Sequence, residues 1–150
     1  MKTYFSIARV SRKVKENLNG IDFADKGSVR FPFNAGLYAA KADLYRREKN
    51  YESAVKEYNL ALKNDACSSE YYAARAEIKF LQEDFQGAVS DYSYALKFSH
   101  DNHNLYARRA FCFFCLKKYS LAAQDYNKAS EQAPAKTHYK YMFEASKKLR

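Results

Sequence analysis

An internal repeat of 34 residues constrains the fold of this chain more than any other feature of its sequence. When the stretch 69–102 is shifted by 34 residues in either direction, it aligns with its neighbours without a gap. The recurring positions carry tyrosine or alanine in every copy: Tyr38, Tyr72 and Tyr106; Ala42, Ala76 and Ala110; Tyr58, Tyr92 and Tyr126. A fixed period in this range indicates an array of supersecondary units, each burying its apolar face against the next.

The repeat resembles the tetratricopeptide repeat, a helix–turn–helix unit of the same length. The resemblance rests on the period, on the small residue at position 8, and on the A-x-x-x-Y spacing in the second half of each copy. It covers residues 35–136, with Lys79 at a usually aromatic position and Pro134 as the only terminal proline. The resemblance implies an all-α fold, an α-solenoid of three repeats.

We therefore expect repeats over residues 35–68, 69–102 and 103–136, followed by a capping helix over 137–150. Each repeat is predicted to form two helices: Ala35–Lys49 and Tyr51–Asn64, Ser69–Glu83 and Phe85–Phe98, Asn104–Lys117 and Tyr119–Gln132. The capping helix has an apolar or small side and a polar side: Tyr139, Met142, Phe143, Ser146 and Leu149 against Lys140, Glu144, Lys147 and Lys148. A polar outer face is what the last element of a stacked array requires.

Residues 1–34 form a basic segment outside the three repeats. The apolar residues of its first half follow helical spacing: Tyr4, Ile7, Val14 and Leu18. This spacing predicts an amphipathic helix over 4–18, which Asn19–Gly20 is expected to end. Apolar side chains recur at every second residue from Val29 to Phe33, a stretch that includes a proline, and this alternation is typical of an extended arm. The segment is either half of a degenerate repeat or a separate arm. Its phenylalanines are expected to cover the open end of the first repeat or, alternatively, to enter the groove of this or a neighbouring molecule.

The formal net charge of +9 is concentrated at the two ends of the chain. Residues 1–34 carry seven basic and three acidic side chains, and residues 134–150 carry five basic and one acidic. Basic ends suit an acidic partner, nucleic acid or a membrane surface, although ordinary solubilising charge is the simpler interpretation. Three cysteines indicate a reducing compartment, and no apolar run approaches the ~20 residues that span a bilayer. We expect a cytoplasmic protein, although the acid-free start also resembles a mitochondrial presequence.

A basic residue at position 7 and an acidic residue at position 23 recur in every repeat. Their separation of sixteen residues brings the two helices of one hairpin together. The sequence therefore predicts three ion pairs: Lys41 with Glu57, Arg75 with Asp91, and Arg109 with Asp125. We interpret these pairs as structural, because such contacts fix the registry of two helices.

The sequence carries no pattern typical of catalysis or metal binding. Cys112 and Cys115 form a C-x-x-C, but within a predicted helix they are expected to be buried and unreactive. His100 and His103 do not complete a zinc site with Cys112, since nine helical residues span about 13 Å. No nucleophile–base arrangement and no phosphate-binding loop are present. We expect a protein that is not an enzyme and that has no cofactor.

The family resemblance implies that the first helix of each repeat lines a concave groove. Carried over to this sequence, it implies these groove residues: Asp43, Arg46, Arg47, Glu77, Phe80, Arg108, Phe111 and Phe114. Alternatively, the phenylalanines are covered by the next helix. Relatives that bind chaperones grip a terminal carboxylate with five side chains. Here the matching positions hold Ala39, Asp43, Ala74, Asn104 and Arg108, and only the arginine agrees.

Together these features predict a scaffold for protein–protein interaction that binds a peptide segment in the groove, without a carboxylate clamp. Two alternatives remain open. One is binding of RNA or another polyanion through the basic ends, with exposed tyrosines stacking on bases. The other is a structural role in which the N-terminal arm forms a homodimer.

Overall fold

The computed structural model describes the backbone of residues 2–149 and the side chains of residues 15, 16 and 18–149. Within these residues it contains eight α-helices and no strand. They are α1 (Lys2–Arg30), α2 (Ala35–Arg47), α3 (Tyr51–Asn64), α4 (Ser69–Leu81), α5 (Phe85–Phe98), α6 (His103–Cys115), α7 (Tyr119–Gln132) and α8 (Thr137–Lys148). The chain divides into two compact units, Met1–Ala66 (unit 1) and Cys67–Arg150 (unit 2). In both units, helices that follow one another in sequence pack together.

Short polar side chains set the starts of most of these helices. The capping residues before α2 to α6 each accept a hydrogen bond from a backbone amide of the first turn: Asn34, Asn50, Ser68, Asp84 and Asn102. Such a cap typically stabilises a helix by ~1 kcal/mol. Helices α7 and α8 follow Lys118 and Lys136, whose side chains make no capping bond.

The first helix of each hairpin ends two residues earlier than predicted, and the residue predicted to be its last has a left-handed backbone conformation. Lys49, Glu83 and Lys117 occupy the same repeat position, with φ of 60°, 61° and 58°. In the first hairpin, the Asn50 amide then donates to the Tyr45 carbonyl over 2.9 Å, and the other two hairpins have the equivalent bond. This 6→1 bond is the Schellman motif, which satisfies carbonyls at a helix end and turns the chain back.

Helix α1 continues to Arg30, so the prediction that Asn19–Gly20 ends it is wrong. A Cβ atom on Gly20 would lie 2.9 Å from Leu44 Cδ1, so the glycine lets α1 approach α2 closely rather than breaking the helix. Ile21 and Ala24 are buried on the same side. The second half of α1 therefore packs against α2 as a helix of the array. The apolar stripe predicted for the first half lies outside the described side chains except at Leu18, which is 55% exposed.

The predicted extended arm is also wrong. Val29 belongs to α1, and Phe31–Phe33 forms a turn between α1 and α2. Phe33 is 85% exposed and Phe31 54%, so neither covers the end of a repeat. Instead, the Pro32 carbonyl accepts hydrogen bonds from the Tyr38 hydroxyl over 3.1 Å and from the Asn64 amide over 3.4 Å. Proline cannot continue the hydrogen-bond pattern of α1, and its carbonyl ties the turn to α2 and α3.

The core of unit 2 is built from alanines and tyrosines that recur with the repeat. Ala76, Ala88 and Ala95 are fully buried and let α4 and α5 approach closely, while Tyr92 fills the remaining space. Around Tyr126 the same arrangement recurs between α6 and α7. Helix α8 buries Tyr139 and Ser146 and exposes its lysines. No described helix is both long and apolar enough to cross a membrane.

Candidate functional site

The structure brings the three base–acid pairs together. The nitrogen–oxygen distance is 2.9 Å between Lys41 and Glu57, 2.6 Å between Arg75 and Asp91, and 2.7 Å between Arg109 and Asp125. Both arginines bind their aspartate through two nitrogens, and both aspartates are buried. Paired charges in a buried position hold two helices in register.

Two of the basic residues in these pairs also contact the preceding helix, which sequence reasoning missed. Lys41 Nζ lies 2.5 Å from Asp25 on α1, and Arg109 donates to Ser93 on α5 over 2.9 Å. Each of these contacts again spans sixteen residues, so the same spacing read toward the N-terminus was the available signal. Burial opposes the charge of Lys41, but hydrogen bonds with Asp25 and Glu57 outweigh it and raise the pKa of the ammonium group. Lys41 and Arg109 therefore each tie three helices together.

Lys79, the lysine at the usually aromatic position of the middle repeat, also takes part in an ion pair. Lys79 Nζ lies 2.9 Å from Asp91, so this carboxylate accepts from two cations. The residue that replaces an aromatic side chain at this position thus contributes to the ion pair of its own hairpin.

In unit 1, the predicted groove residues form a small polar cluster on α2. Asp43 accepts hydrogen bonds from Arg46 over 3.3 Å and from the Tyr58 hydroxyl over 3.1 Å. Arg46 is half-buried, whereas Arg47 is exposed. This cluster offers charged groups to a ligand.

In unit 2, the first helices α4 and α6 and the final helix α8 enclose a cavity of about 450 Å³, here called the α6–α8 cavity. Pockets of this size hold small ligands or anchoring side chains. Its lining residues are Phe80, Tyr92, Asn104, Ala107, Arg108, Phe111, Tyr126, His138, Tyr139 and Met142.

Three of the five groove residues expected in unit 2 line this cavity. Phe80 and Phe111 contact each other, with ring centroids 5.6 Å apart, and Phe111 remains 43% exposed. Arg108 is the third, and Glu77 joins it over 3.2 Å. Phe114 instead packs edge-on against Tyr119 within the core of α6 and α7. Phe80 and Phe114 are thus both half-buried against neighbouring helices, whereas Phe111 is exposed.

The charged and phenolic groups of the cavity influence one another. Burial raises the pKa of Tyr92 to about 12, against the nearby charge of Arg108 and a hydrogen bond with it. Burial also opposes the charge of Arg108, but Tyr92 and Glu77 outweigh it and raise the pKa of the guanidinium. Arg108 is therefore a cation throughout the physiological pH range, half exposed at the cavity.

The contribution of α8 to the cavity was not predicted. The Tyr139 hydroxyl donates to Asn104 Oδ1 over 3.1 Å and lies 3.2 Å from His103 Nδ1. His138 and Met142 complete the wall. They stand 34 residues after Asn104 and Arg108, so extending the repeat register into the capping helix would have found them.

The cysteines and histidines form no reactive or metal-binding centre in the described part of the chain. Burial raises the pKa of the Cys112 thiol to about 12 and also raises that of Cys115. A thiol held protonated in this way is a poor nucleophile. His103 contacts Tyr139 rather than a cysteine.

Helical hairpins of equal length, with a cavity on the surface of their first helices, define a helical repeat protein. No family model and no curated protein sequence matches the chain. Solved structures show the fold, which is that of tetratricopeptide-repeat domains. MamA has a TM-score of 0.79 at 16% identity, covering 87% of this chain and 78% of its own. The first tetratricopeptide domain of Spaghetti (RPAP3), bound to the HSP90 peptide SRMEEVD, has a TM-score of 0.70 at 23% identity, covering 77% and 91%. The TPR2B domain of yeast Sti1, in a pHsp70 complex, has 0.68 at 19%, covering 78% and 98%.

Proposed function

We propose that this protein is a non-enzymatic interaction scaffold, located in the cytoplasm, that binds a peptide segment of a partner protein at the α6–α8 cavity. The cavity itself is the observation that carries the proposal. Its walls are aromatic and aliphatic, it lies on the first-helix surface, and Arg108 provides a cation at its edge. Apolar anchors flanked by a charged donor are a common arrangement for peptide recognition.

The nature of the ligand is supported by two of the similar structures. One was solved with an HSP90 peptide and the other in a pHsp70 complex, so the fold accommodates peptide ligands. Recognition of a terminal carboxylate by the five-residue clamp does not suit this chain, because Ala39, Asp43 and Ala74 cannot supply the required donors. Of that set, Arg108 is the cation that remains.

Affinity capture with the intact chain and with an Arg108→Glu, Phe111→Ala double variant tests the proposal. We expect the double variant to lose partners that the intact chain retains, because it reverses the charge and removes an aromatic wall. A Lys97→Glu, Leu121→Ala variant is the matched control, since both residues are exposed on second helices. Identical partner sets for all three proteins would contradict the proposal. If raising the salt from ~50 to ~200 mM released the captured partners from the intact chain and from both variants alike, binding of a polyanion by the basic ends would be favoured instead.

A second function, self-association through unit 1, is favoured by its exposed apolar side chains. Phe23 is 75% exposed, and Val29 and Phe33 are each 85% exposed. Exposed apolar side chains that lie close together in sequence can mark an interface. Light scattering on a Phe31→Ser, Phe33→Ser variant tests it without removing the part of α1 that packs on α2. A mass that equals one chain before and after the change would exclude the homodimer.

A further inference from the structure

The core tyrosine at repeat position 24 has a polar or charged neighbour in two hairpins and lacks one in the third. The Tyr58 hydroxyl donates to Asp43, fifteen residues earlier. Tyr92 has the Arg108 guanidinium as a charged neighbour, and the residue fifteen positions before it is again an acid, Glu77. The residue fifteen positions before Tyr126 is Phe111, which cannot accept a hydrogen bond.

The consequence is a hydroxyl at the cavity that has no hydrogen-bond partner among the described residues. Tyr126 is 3% exposed and lines the α6–α8 cavity. Among the described residues, no side chain or backbone group is hydrogen-bonded to its hydroxyl, and burial raises the pKa of the phenol so that it stays protonated. The hydroxyl therefore faces the cavity with its hydrogen available to donate to a ligand there.

Asn104 and Arg108 also offer hydrogen-bond donors at this cavity. Asn104 Oδ1 already accepts from Tyr139 over 3.1 Å and lies 3.5 Å from Lys136 Nζ, which leaves its amide nitrogen as a donor. Arg108 has only donors to offer. These donors, between walls such as Phe80 and Phe111, fit a ligand that combines apolar bulk with acceptor oxygens.

Building on the proposed function, we infer that the α6–α8 cavity takes an aromatic or aliphatic side chain from an acidic partner peptide. A backbone carbonyl of that peptide accepts the hydrogen bond of the Tyr126 hydroxyl. A carboxylate next to the anchoring side chain binds Arg108 in place of Glu77, whose pairing with it is half exposed and therefore weak.

The charge of the molecule favours this ligand over a second copy of the same chain. The exposed Phe31 and Phe33 would supply apolar anchors, but Arg30 precedes them and its guanidinium lies over the Phe31 ring. Placing that segment at the cavity would bring Arg30 near Arg108. Two chains of net charge +9 also repel each other, whereas an acidic peptide is attracted.

The test uses a phage-displayed library of random peptides selected on the full chain. We expect enrichment of sequences in which an aromatic or aliphatic residue adjoins Asp or Glu. Synthetic versions of these peptides should bind Tyr126→Phe about tenfold more weakly, the effect of one lost hydrogen bond. The same variant should keep or raise the denaturation midpoint, because no hydrogen bond within the protein is lost. Tyr58→Phe is the matched control, with a lowered midpoint and unchanged peptide binding.

Each failure has a separate meaning. Peptides that bind Tyr126→Phe as well as the original chain, yet fail to bind the Arg108→Glu, Phe111→Ala variant, would overturn this inference and leave the proposed function standing. Absence of any enriched peptide, or equal binding to that double variant, would overturn the proposed function itself. Concentration-dependent dimerisation that Tyr126→Phe abolishes would identify a second copy as the ligand and refute the acidic peptide.

Discussion

Replacing Asp125 with alanine leaves the Arg109 guanidinium inside unit 2 without its carboxylate. The Asp125 side chain is 6% exposed and that of Arg109 18%, and two hydrogen bonds of 2.7 and 2.9 Å join them. The guanidinium would keep only its bond to Ser93. Breaking a buried pair in this way typically costs ~3–5 kcal/mol of unfolding free energy. By contrast, the Lys56–Glu52 pair of α3 is 69% and 79% exposed, and solvent screens pairs of this kind.

Urea denaturation followed by circular dichroism compares the Asp125→Ala and Glu52→Ala variants directly. We expect a loss of ~3–5 kcal/mol for the first and a much smaller loss for the second. An Arg109→Met, Asp125→Leu double variant should recover most of the loss, because no unpaired charge remains buried. Hydrogen exchange should locate the damage in α6 and α7, since each repeat contacts only its neighbours. If Asp125→Ala cost no more than Glu52→Ala, the pair would be a surface contact and the reasoning wrong.

Three further predictions concern the thiols, the hairpin turns and the contact between α1 and α2. At pH 8, a pKa of about 12 leaves about one Cys112 thiol in ten thousand ionised. Iodoacetamide should therefore modify the exposed Cys67 first and Cys112 only after unfolding, as mass spectrometry would show; equal rates would contradict burial of Cys112. Glu83→Gly should raise the unfolding free energy by about 0.5–1 kcal/mol, because φ is 61° there; a lower stability in urea would refute this. The pKa of Lys41 is raised on folding, so its contribution is fully present below its unfolded pKa of about 10.4 and lost above the folded value. The Lys41→Met variant should hence be destabilised equally at pH 6 and pH 9. Its difference from the original chain should shrink only in strong alkali, and a difference that varied between pH 6 and pH 9 would implicate another group, such as Asp25.

Local periodicity in the sequence was enough to define the hairpins. The second helices begin and end where the spacing predicts, at Tyr51–Asn64, Phe85–Phe98 and Tyr119–Gln132. Their residues depend on neighbours a few positions away, through caps and through a recurring alanine that permits close packing. The sixteen-residue separation of Arg109 and Asp125 is likewise a property of one hairpin, so it could be read without the rest of the molecule.

Tertiary structure decided the features that depend on contacts between hairpins. Gly20 signals a helix end in isolation, and only the approach of Leu44 shows that the glycine permits packing within a continuous helix. Similarly, the capping helix supplies a wall of the cavity because α8 packs on α7 and reaches Asn104. That the unpaired Tyr126 hydroxyl faces a cavity is known only from the packing of the helices that line it. A sequence pattern records which face of a helix is apolar, whereas the groups that face a cavity are set by the packing of elements distant along the chain.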